Sequence, residues 1–152
     1  MVVYRITTAK WAEKLTGSGY PARWNPRYVH VIYTASSIAL ACLENLVHRS
    51  GEGLNANFSL VEISIPDKVS SGEIKAKELP ENWFTINGYS VCQSIGRRWV
   101  EEQKSCTLVV PSSIIPKESN LLINPNHPEF QQISIRNIRK FSFDKRLVAD
   151  GE

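Results

Sequence analysis

Several features are scarce in this sequence of 152 residues, and each absence excludes a class of protein. Its three cysteines, Cys42, Cys92 and Cys106, are an odd number without a CxxC spacing, which argues against a disulfide framework and a zinc site. No apolar run approaches the ~20 residues that a membrane-spanning helix needs. The first fifteen residues also lack the apolar core of a signal peptide. We therefore expect a cytoplasmic protein that does not act at a membrane.

The sequence also has little net charge, because its 18 Lys and Arg nearly balance its 15 Asp and Glu and leave a net charge of +3. This excess is too small to require a nucleic-acid partner, and the basic residues are scattered rather than arranged in a stripe. It is compatible with an anionic small molecule held by one or two arginines. The histidines, His30, His48 and His127, stand in unrelated contexts and indicate neither a metal site nor a catalytic triad.

What the sequence does contain is typical of one globular domain. Hydrophobic residues make up 42% of it and charged residues 22%, near the averages for soluble domains. It has no internal repeat, low-complexity segment or linker. A chain of this length can bury a sufficient core without a disulfide or a metal. We therefore expect a single domain that spans residues 1–152.

Short segments of alternating or β-branched residues predict a sheet of short strands. Strands are expected over residues 2–6, 29–34, 59–65, 107–110, 133–138 and 141–143. Helices are expected over residues 37–48 and 90–102, with one or two further turns over 9–15. Ser36 or Ser37 can cap the first of these helices, and Gly51 and Gly53 lie beyond its end. Glycines and prolines predict loops over 16–28 and 111–128, and residues 67–87 have no clear pattern. The expected fold class is α+β.

Glu44 is the most informative single residue. On the expected helix its neighbours three and four positions away include Leu40, Ala41 and Val47, so the carboxylate shares a largely apolar face. A buried charge is costly unless it has hydrogen-bond donors or a function. The alternative is a carboxylate at the edge of the apolar stripe that reaches solvent.

Three other side chains occupy positions that are typical of ligand sites. Arg23 lies in a loop rich in glycine and proline, where a guanidinium can grip a phosphate. Tyr33 lies near the end of an expected strand, and Ser112 directly follows another. Each also has an ordinary explanation, namely an exposed structural arginine, a core tyrosine and a serine that caps a turn. None of the three assigns a function alone.

In this order along the chain, the motifs resemble those of the RES domain family, which is named for an arginine, a glutamate and a serine. The matching strings are Val3-Tyr4-Arg5-Ile6, Arg23-Trp24-Asn25, Ile32-Tyr33-Thr34-Ala35-Ser36, Ala39-Leu40-Ala41-Cys42-Leu43-Glu44, Ile95-Gly96 with Trp99, Val110-Pro111-Ser112, Asn120 through Asn124-Pro125 with His127-Pro128, and Phe143-Asp144 with Arg146-Leu147. The likeness covers residues 3–147. Members commonly have a glycine just before the Arg-Trp pair and another shortly after it, where this chain has Pro21-Ala22 and Arg27-Tyr28-Val29.

The resemblance implies an ADP-ribosyltransferase-like fold, which is a split mixed β-sheet with a few helices around an NAD⁺ cleft. It implies the toxin of a bacterial type II toxin–antitoxin system that depletes NAD⁺ by cleaving the nicotinamide–ribose bond, through hydrolysis or phosphorolysis. NAD⁺ is then a substrate, and no metal is required because nicotinamide leaves as a neutral molecule. The implied partner is a cognate Xre-like antitoxin, through which DNA is contacted only indirectly, and a homodimer is compatible with the resemblance.

The implied site comprises Arg23, Tyr33, Glu44 and Ser112, with Asn124 as a further residue that binds the dinucleotide. Cleavage of the nicotinamide–ribose bond develops oxocarbenium-like positive charge on the ribose, which a fixed carboxylate such as Glu44 stabilises. Arg23 is expected to bind the pyrophosphate. Tyr33 is expected to orient the nicotinamide ribose, and Ser112 to donate a hydrogen bond within the cleft.

Two alternatives stay open at this point. In the first, the fold is the same but ADP-ribose is transferred to a protein side chain, which makes the protein a mono-ADP-ribosyltransferase. In the second, the chain is a non-catalytic or RNA-directed toxin module. The modest net charge and the absence of interleaved basic and aromatic stripes argue against the second alternative.

Overall fold

The computed structural model describes residues 1–48 and 56–147, which form a seven-stranded mixed sheet with a few helices. The strands are β1 Val2–Thr8, β2 Ile32–Ala35, β3 Phe58–Ser64, β4 Ser71–Glu73, β5 Thr107–Pro111, β6 Ser119–Ile123 and β7 Ser134–Phe141. The α-helices are α1 Ala9–Ala12, α2 Ile38–His48 and α3 Tyr89–Glu102. Short 3₁₀ turns cover Ala76–Glu78, Ile86–Gly88, Pro128–Gln132 and Lys145–Leu147. The expected α+β class is confirmed.

The sheet is nearly divided at its centre. Its strand order is β4-β5-β6-β2-β1-β3-β7, and the neighbours are antiparallel except for the parallel pair β4 and β5. β1 and β2 share one register pair, Tyr4 with Ala35, whereas β1 pairs with β3 along its whole length. The two central strands therefore diverge from this pair, and the sheet has the split form that the family resemblance implies.

One helix covers each half of the split sheet on the same face. Leu40 and Ala41 of α2 pack against Phe58 and Leu60 of β3, and the buried side of α3 packs against β5 and β6. Because side chains alternate along a strand, a third apolar cluster around Ile63 occupies the opposite face. On the helical face the two halves thus have separate cores, whereas the cluster on the opposite face joins residues of both halves.

The predicted start of α2 is confirmed in detail. The hydroxyl of Ser37 accepts a hydrogen bond from the backbone N–H of Leu40 at 3.0 Å, which is the role of an N-cap serine. The glycines expected beyond the end of this helix, Gly51 and Gly53, lie outside the described residues, as does the tail from residue 148. None of the described helices is long and apolar enough to cross a membrane.

The expectation of a loop over residues 111–128 is wrong, because this stretch contains β6. Leu121, Leu122 and Ile123 are buried, and β6 pairs with both β5 and β2 near the middle of the sheet. Pro116 and Pro125 flank the strand without interrupting it. Only three consecutive apolar residues mark this strand in the sequence, which is too short a pattern to stand out among prolines.

Two other strand predictions need correction. The expected strands over 133–138 and 141–143 are one continuous strand, β7, which pairs with β3 and accommodates an irregularity opposite Glu62 and Ile63. The second strand begins at Ile32 instead of residue 29. The backbone of Tyr28 is left-handed, with φ 72°, so the chain is still turning just before it extends.

Candidate active site

A cleft of about 490 Å³ opens where β1 and β2 diverge. This volume lies within the range of roughly 300–1,000 Å³ that is usual for small-molecule sites. Residues of β1 and α2 line one side, and the loop between α1 and β2 lines the other. The polar side chains that line it are Arg5, Arg23, Tyr33, Glu44, Asn45, His48, Tyr89 and Asn120, among others. The cleft therefore gathers ionisable groups from both halves of the sheet.

The carboxylate of Glu44 is fixed in this cleft by three side chains. Its Oε1 accepts hydrogen bonds from the hydroxyl of Ser112 at 2.8 Å and from Nδ2 of Asn120 at 2.7 Å. Its Oε2 lies 3.3 Å from Nε2 of His48, one helical turn further along α2. The side chain of Glu44 is 19% exposed, so the carboxylate is largely withdrawn from solvent yet can be reached from the cleft.

These contacts keep Glu44 ionised. Burial acts to raise the pKa of its carboxyl group, but hydrogen bonds from His48, Asn120 and Ser112 stabilise the charged form and lower the pKa below its ordinary value. A preorganised negative charge in a partly desolvated site is suited to stabilising positive charge that develops on a bound molecule. The interpretation of Glu44 as a carboxylate with dedicated donors, rather than a solvated one, agrees with this arrangement.

Ser112 contributes to the site through Glu44 rather than by lining the cleft. It is fully buried, and its hydroxyl oxygen accepts the backbone N–H groups of Ile114 at 3.1 Å and Ile115 at 3.0 Å. Because a hydroxyl has a single proton, the one on Ser112 is committed to Oε1 of Glu44. The structure therefore gives Ser112 the geometry of a positioning residue, and the direct contact expected with a ligand stays a prediction.

The guanidinium of Arg23 forms part of the cleft wall. Its terminal nitrogens donate to the backbone carbonyls of Trp83 at 2.6 Å, Phe84 at 3.0 Å and Thr85 at 3.1 Å. Its Cζ lies 4.3 Å from the ring centroid of Tyr89. Arg23 thereby holds a segment some sixty residues away against its own loop. The nitrogens that were expected to grip a pyrophosphate make these contacts in the structure, and the pyrophosphate contact stays a prediction.

Tyr33 fixes the loop that carries Arg23. Its hydroxyl donates to Oδ1 of Asn25 at 2.6 Å and accepts the backbone N–H of Trp24 at 3.0 Å. Burial raises the pKa of the Tyr33 phenol well above its ordinary value, and the bond from Trp24 only partly opposes this. The loop also docks closely on α3, since a Cβ at Gly96 would lie 1.7 Å from the carbonyl oxygen of Trp24. Tyr33 is therefore neutral, and its hydroxyl is already used within the protein.

Asn124 is not brought to this cluster. It is fully buried beyond the opposite end of β6, where its side chain donates to the carbonyl of Val100 at 3.4 Å and accepts the N–H of Asn126 at 3.0 Å. Asn120, four residues earlier and at the start of the strand, is the asparagine that reaches Glu44. Asn120 belongs to one of the family motifs, but no role in the site was predicted for it, because residues 111–128 were interpreted as a loop without a register.

Arg5 and His48 are two further cleft residues, and no role in the site was predicted for either of them. Burial lowers the pKa of Arg5, and its Nη1 donates to the carbonyl of Thr16 at 3.1 Å. No salt bridge involves Arg5 within the part of the chain that the structure describes. A guanidinium that is largely desolvated and has no carboxylate partner is a natural anion site. The sequence feature that could have indicated Arg5 is its place inside an otherwise apolar strand. The feature that could have indicated His48 is its spacing of four residues from Glu44 on a helix.

Two exposed aromatic rings also line the cleft. Trp11 is 51% exposed and Tyr20 is 71% exposed. The other three tryptophans, Trp24, Trp83 and Trp99, are buried in the core. Exposed aromatic faces at a polar cleft are suited to stacking with planar rings. Within the described ranges, no group of three or more His, Cys, Asp or Glu is placed to hold a metal ion.

Comparison with known proteins identifies relatives over nearly the whole chain. The model of the RES domain family matches residues 2–144. A protein of Sphingobium sp. (strain YBL2) named Prs ADP-ribosylating toxin is 43% identical, and the match covers 90% of this chain and 88% of that protein. The Toxin Res of Yersinia enterocolitica is 38% identical, with coverage of 97% and 99%.

A solved structure supports the fold independently of close sequence similarity. The crystal structure of the M. tuberculosis MbcT-MbcA toxin-antitoxin complex contains a chain that superposes with a TM-score of 0.74. The identity is 20%, and the match covers 93% of this chain and 84% of the other. The split mixed sheet is thus an architecture that this toxin-antitoxin complex shares. The family match and the curated relatives show that the chain belongs to the RES domain family.

Proposed function

We propose that this protein is a toxin that depletes NAD⁺ by cleaving its nicotinamide–ribose bond. The observation that carries the proposal is the clamp on Glu44, in which an ionised carboxylate is held by donors in a cleft of about 490 Å³. The two bonds on Oε1 hold the carboxylate, and Oε2, which lies 3.3 Å from His48, is the oxygen that we assign to the ligand. The family membership and the toxin relatives support the same assignment.

The reaction needs little more than a correctly placed negative charge. As the bond between ribose C1′ and the nicotinamide nitrogen breaks, its electron pair neutralises the pyridinium ring and positive charge develops on the ribose. Glu44 stabilises that charge, because it is preorganised and poorly solvated. An oxygen of water or phosphate then bonds to C1′ and loses its proton. We assign Glu44 as the catalytic residue and Ser112 and Asn120 as the residues that position it.

The rest of the dinucleotide has complementary groups in the same cleft. Arg5 has donors available for a pyrophosphate, and Arg23 adds positive charge on the facing loop. The exposed rings of Trp11 and Tyr20 offer faces on which the bases of NAD⁺ can stack. In this account, Tyr33 orients the nicotinamide ribose indirectly, by fixing the loop beside it.

Nicotinamide release tests the proposal. The purified protein is incubated with NAD⁺, with and without inorganic phosphate, and free nicotinamide is measured. We expect release that is abolished in Glu44→Gln, and the dependence on phosphate then separates phosphorolysis from hydrolysis. A folded Glu44→Gln variant that releases nicotinamide at the rate of the wild type would refute the role of Glu44.

Transfer of ADP-ribose to a protein is the second candidate. It is favoured by one observation, the 43% identity to a relative named Prs ADP-ribosylating toxin. The same bond breaks at the same carboxylate, and only the acceptor differs. Incubation with labelled NAD⁺ and a cell lysate distinguishes the two, since label in free ADP-ribose or its phosphate supports depletion and label on a protein that survives denaturation supports transfer.

We also propose that a cognate antitoxin of the Xre type neutralises the protein. The support comes from the toxin relatives and from the structural neighbour, which is a toxin-antitoxin complex. DNA is then contacted only through the antitoxin. The test is co-expression with the product of an adjacent Xre-type gene, which should yield a stable complex that no longer consumes NAD⁺. Normal consumption by the complex would count against neutralisation.

A further inference from the structure

The site contains a histidine for which the proposed reaction has no stated use. His48 is the last residue of α2, one turn after Glu44, and its Nε2 lies 3.3 Å from Oε2 of the carboxylate. Its side chain is 45% exposed and lines the cleft. Because Ser112 and Asn120 occupy Oε1, His48 stands beside the one carboxylate oxygen that is free to act on a ligand.

The contact between His48 and Glu44 matters because few other charged groups line the cleft. Among the described residues that line the cleft, Glu44 is the one acidic side chain and His48 the one histidine. The other ionisable groups that face the cleft are Arg5 and Tyr4 of β1, Arg23 and Tyr20 of the loop, Tyr33 of β2 and Tyr89 of α3. None of these can supply a second negative charge at neutral pH. A proton on His48 would therefore compensate the one carboxylate that the described residues place in the cleft.

We propose that His48 is a positioning residue whose protonation controls how much negative charge Glu44 presents at Oε2. Neutral His48 leaves the carboxylate uncompensated, so the charge that develops on the ribose is fully stabilised. Protonated His48 forms an ion pair with Oε2 and competes with the ribose cation for it. This inference rests on the proposed cleavage of NAD⁺. It predicts that protonation slows the chemical step, while binding through the pyrophosphate and the bases is retained.

The titrations of the neighbouring groups fall outside the range in which histidine changes charge. The pKa of Glu44 is lowered below its ordinary value, so the carboxylate is already ionised at mildly acidic pH. Burial raises the pKa of Tyr33 far above neutrality. Histidine is the side chain that ordinarily changes charge between about pH 5 and 8. A change of rate in that range, if it vanishes when His48 is replaced, is attributable to His48.

The test is the pH profile of nicotinamide release, measured as kcat and KM for the wild type and for His48→Gln. Glutamine can still donate to Oε2 but does not titrate. We expect the wild-type kcat to rise about tenfold or more between acidic and mildly alkaline pH, because a charge in contact with the carboxylate alters the barrier by more than about 1.4 kcal/mol. We expect a flat profile for His48→Gln near the wild-type maximum, with KM little changed in either protein.

Several outcomes would overturn the inference. A flat wild-type profile, or the same rise in His48→Gln, would show that His48 does not set the pH dependence. A folded His48→Gln variant that is inactive at high pH would show that the imidazole itself transfers a proton. Thermal unfolding of both proteins monitors folding. Failure of the wild type to release nicotinamide at every pH would instead contradict the proposed function, so the two failures are distinguishable.

Discussion

Nδ2 of Asn120 donates to Oε1 of Glu44 at 2.7 Å across 76 residues of sequence. Asn120 belongs to β6 in one half of the split sheet, whereas Glu44 belongs to α2, which packs on the other half. Ser112, which directly follows β5, donates to the same oxygen. The clamp therefore bridges the divergence of the two central strands, and the orientation of the carboxylate depends on how the two halves are joined.

Replacement of Asn120 by aspartate should disable this clamp without changing its shape. The substitution Asn120→Asp replaces a donor with a second carboxylate, which raises the pKa of Glu44 and removes one bond to a charged group. Such a bond contributes about 1.5–3 kcal/mol, so we expect kcat for nicotinamide release to fall roughly 10- to 100-fold. The exposed substitution Asn87→Asp adds the same charge outside the cleft and should leave kcat unchanged. An active Asn120→Asp variant would show that the bond to Oε1 is dispensable.

We expect Arg5 to favour binding of NAD⁺ while lowering the stability of the unliganded protein. The guanidinium of Arg5 is partly buried and has no carboxylate partner among the described residues, which costs free energy in the unliganded protein, so we expect Arg5→Met to be at least as stable as the wild type. The same substitution removes the donors proposed for the pyrophosphate and should raise KM for NAD⁺ about tenfold or more. Steady-state kinetics and urea unfolding measure the two effects. Arg136→Met, on the exposed strand β7, is the control. An unchanged KM would remove Arg5 from the binding site.

The lowered pKa of Glu44 predicts a pH-dependent contribution to stability. Because the folded-state pKa lies below the ordinary value of 4.5, ionisation of Glu44 favours the folded state above that pH. The contribution is lost as the pH falls from about 4.5 through the lower, folded-state pKa. The difference in free energy of unfolding between the wild type and Glu44→Gln should therefore shift in favour of Glu44→Gln as the pH falls through this window. Denaturant unfolding of both proteins at a series of pH values measures this shift. If acidification instead stabilised the wild type relative to Glu44→Gln, the pKa of Glu44 would not be lowered in the folded state.

Sequence patterns predicted the local features of the site but not its assembly. The apolar spacing and the capping serine predicted α2, and with it the partly buried position of Glu44. The identity of the donors depended on β6, whose three apolar residues are too few to indicate a strand among prolines. The carbonyls that bind Arg23 come from a segment without periodicity, so this contact had no sequence signal. Interactions between distant segments were the part that local patterns could not predict.

Tyr28 occupies a backbone conformation that glycine adopts more easily. Its φ is 72°, and its N–H donates to the carbonyl of Gly19, whose φ is 75°. A left-handed residue other than glycine costs about 1–2 kcal/mol. Tyr28 is 82% exposed, so little packing is lost on truncation. We expect Tyr28→Gly to stabilise the protein by about 1 kcal/mol in urea unfolding.

The matched substitution in the same turn should act in the opposite direction. In Gly19→Ala, the added Cβ would lie 2.9 Å from the ring of His30, and the residue would also adopt a positive φ. We expect destabilisation of about 1–3 kcal/mol. Destabilisation by Tyr28→Gly, or no effect of Gly19→Ala, would show that backbone conformation does not limit the stability of this loop.

The most direct test of the central claim is to separate binding from cleavage in Glu44→Gln. Binding of NAD⁺ can be followed by tryptophan fluorescence, since Trp11 is exposed at the cleft and the other three tryptophans are buried. We predict that Glu44→Gln binds NAD⁺ about as tightly as the wild type but releases nicotinamide at least about 100-fold more slowly, because the charge that stabilises the ribose cation is gone. Loss of binding together with activity would make Glu44 a binding residue. Undiminished release by a folded Glu44→Gln variant would contradict the account.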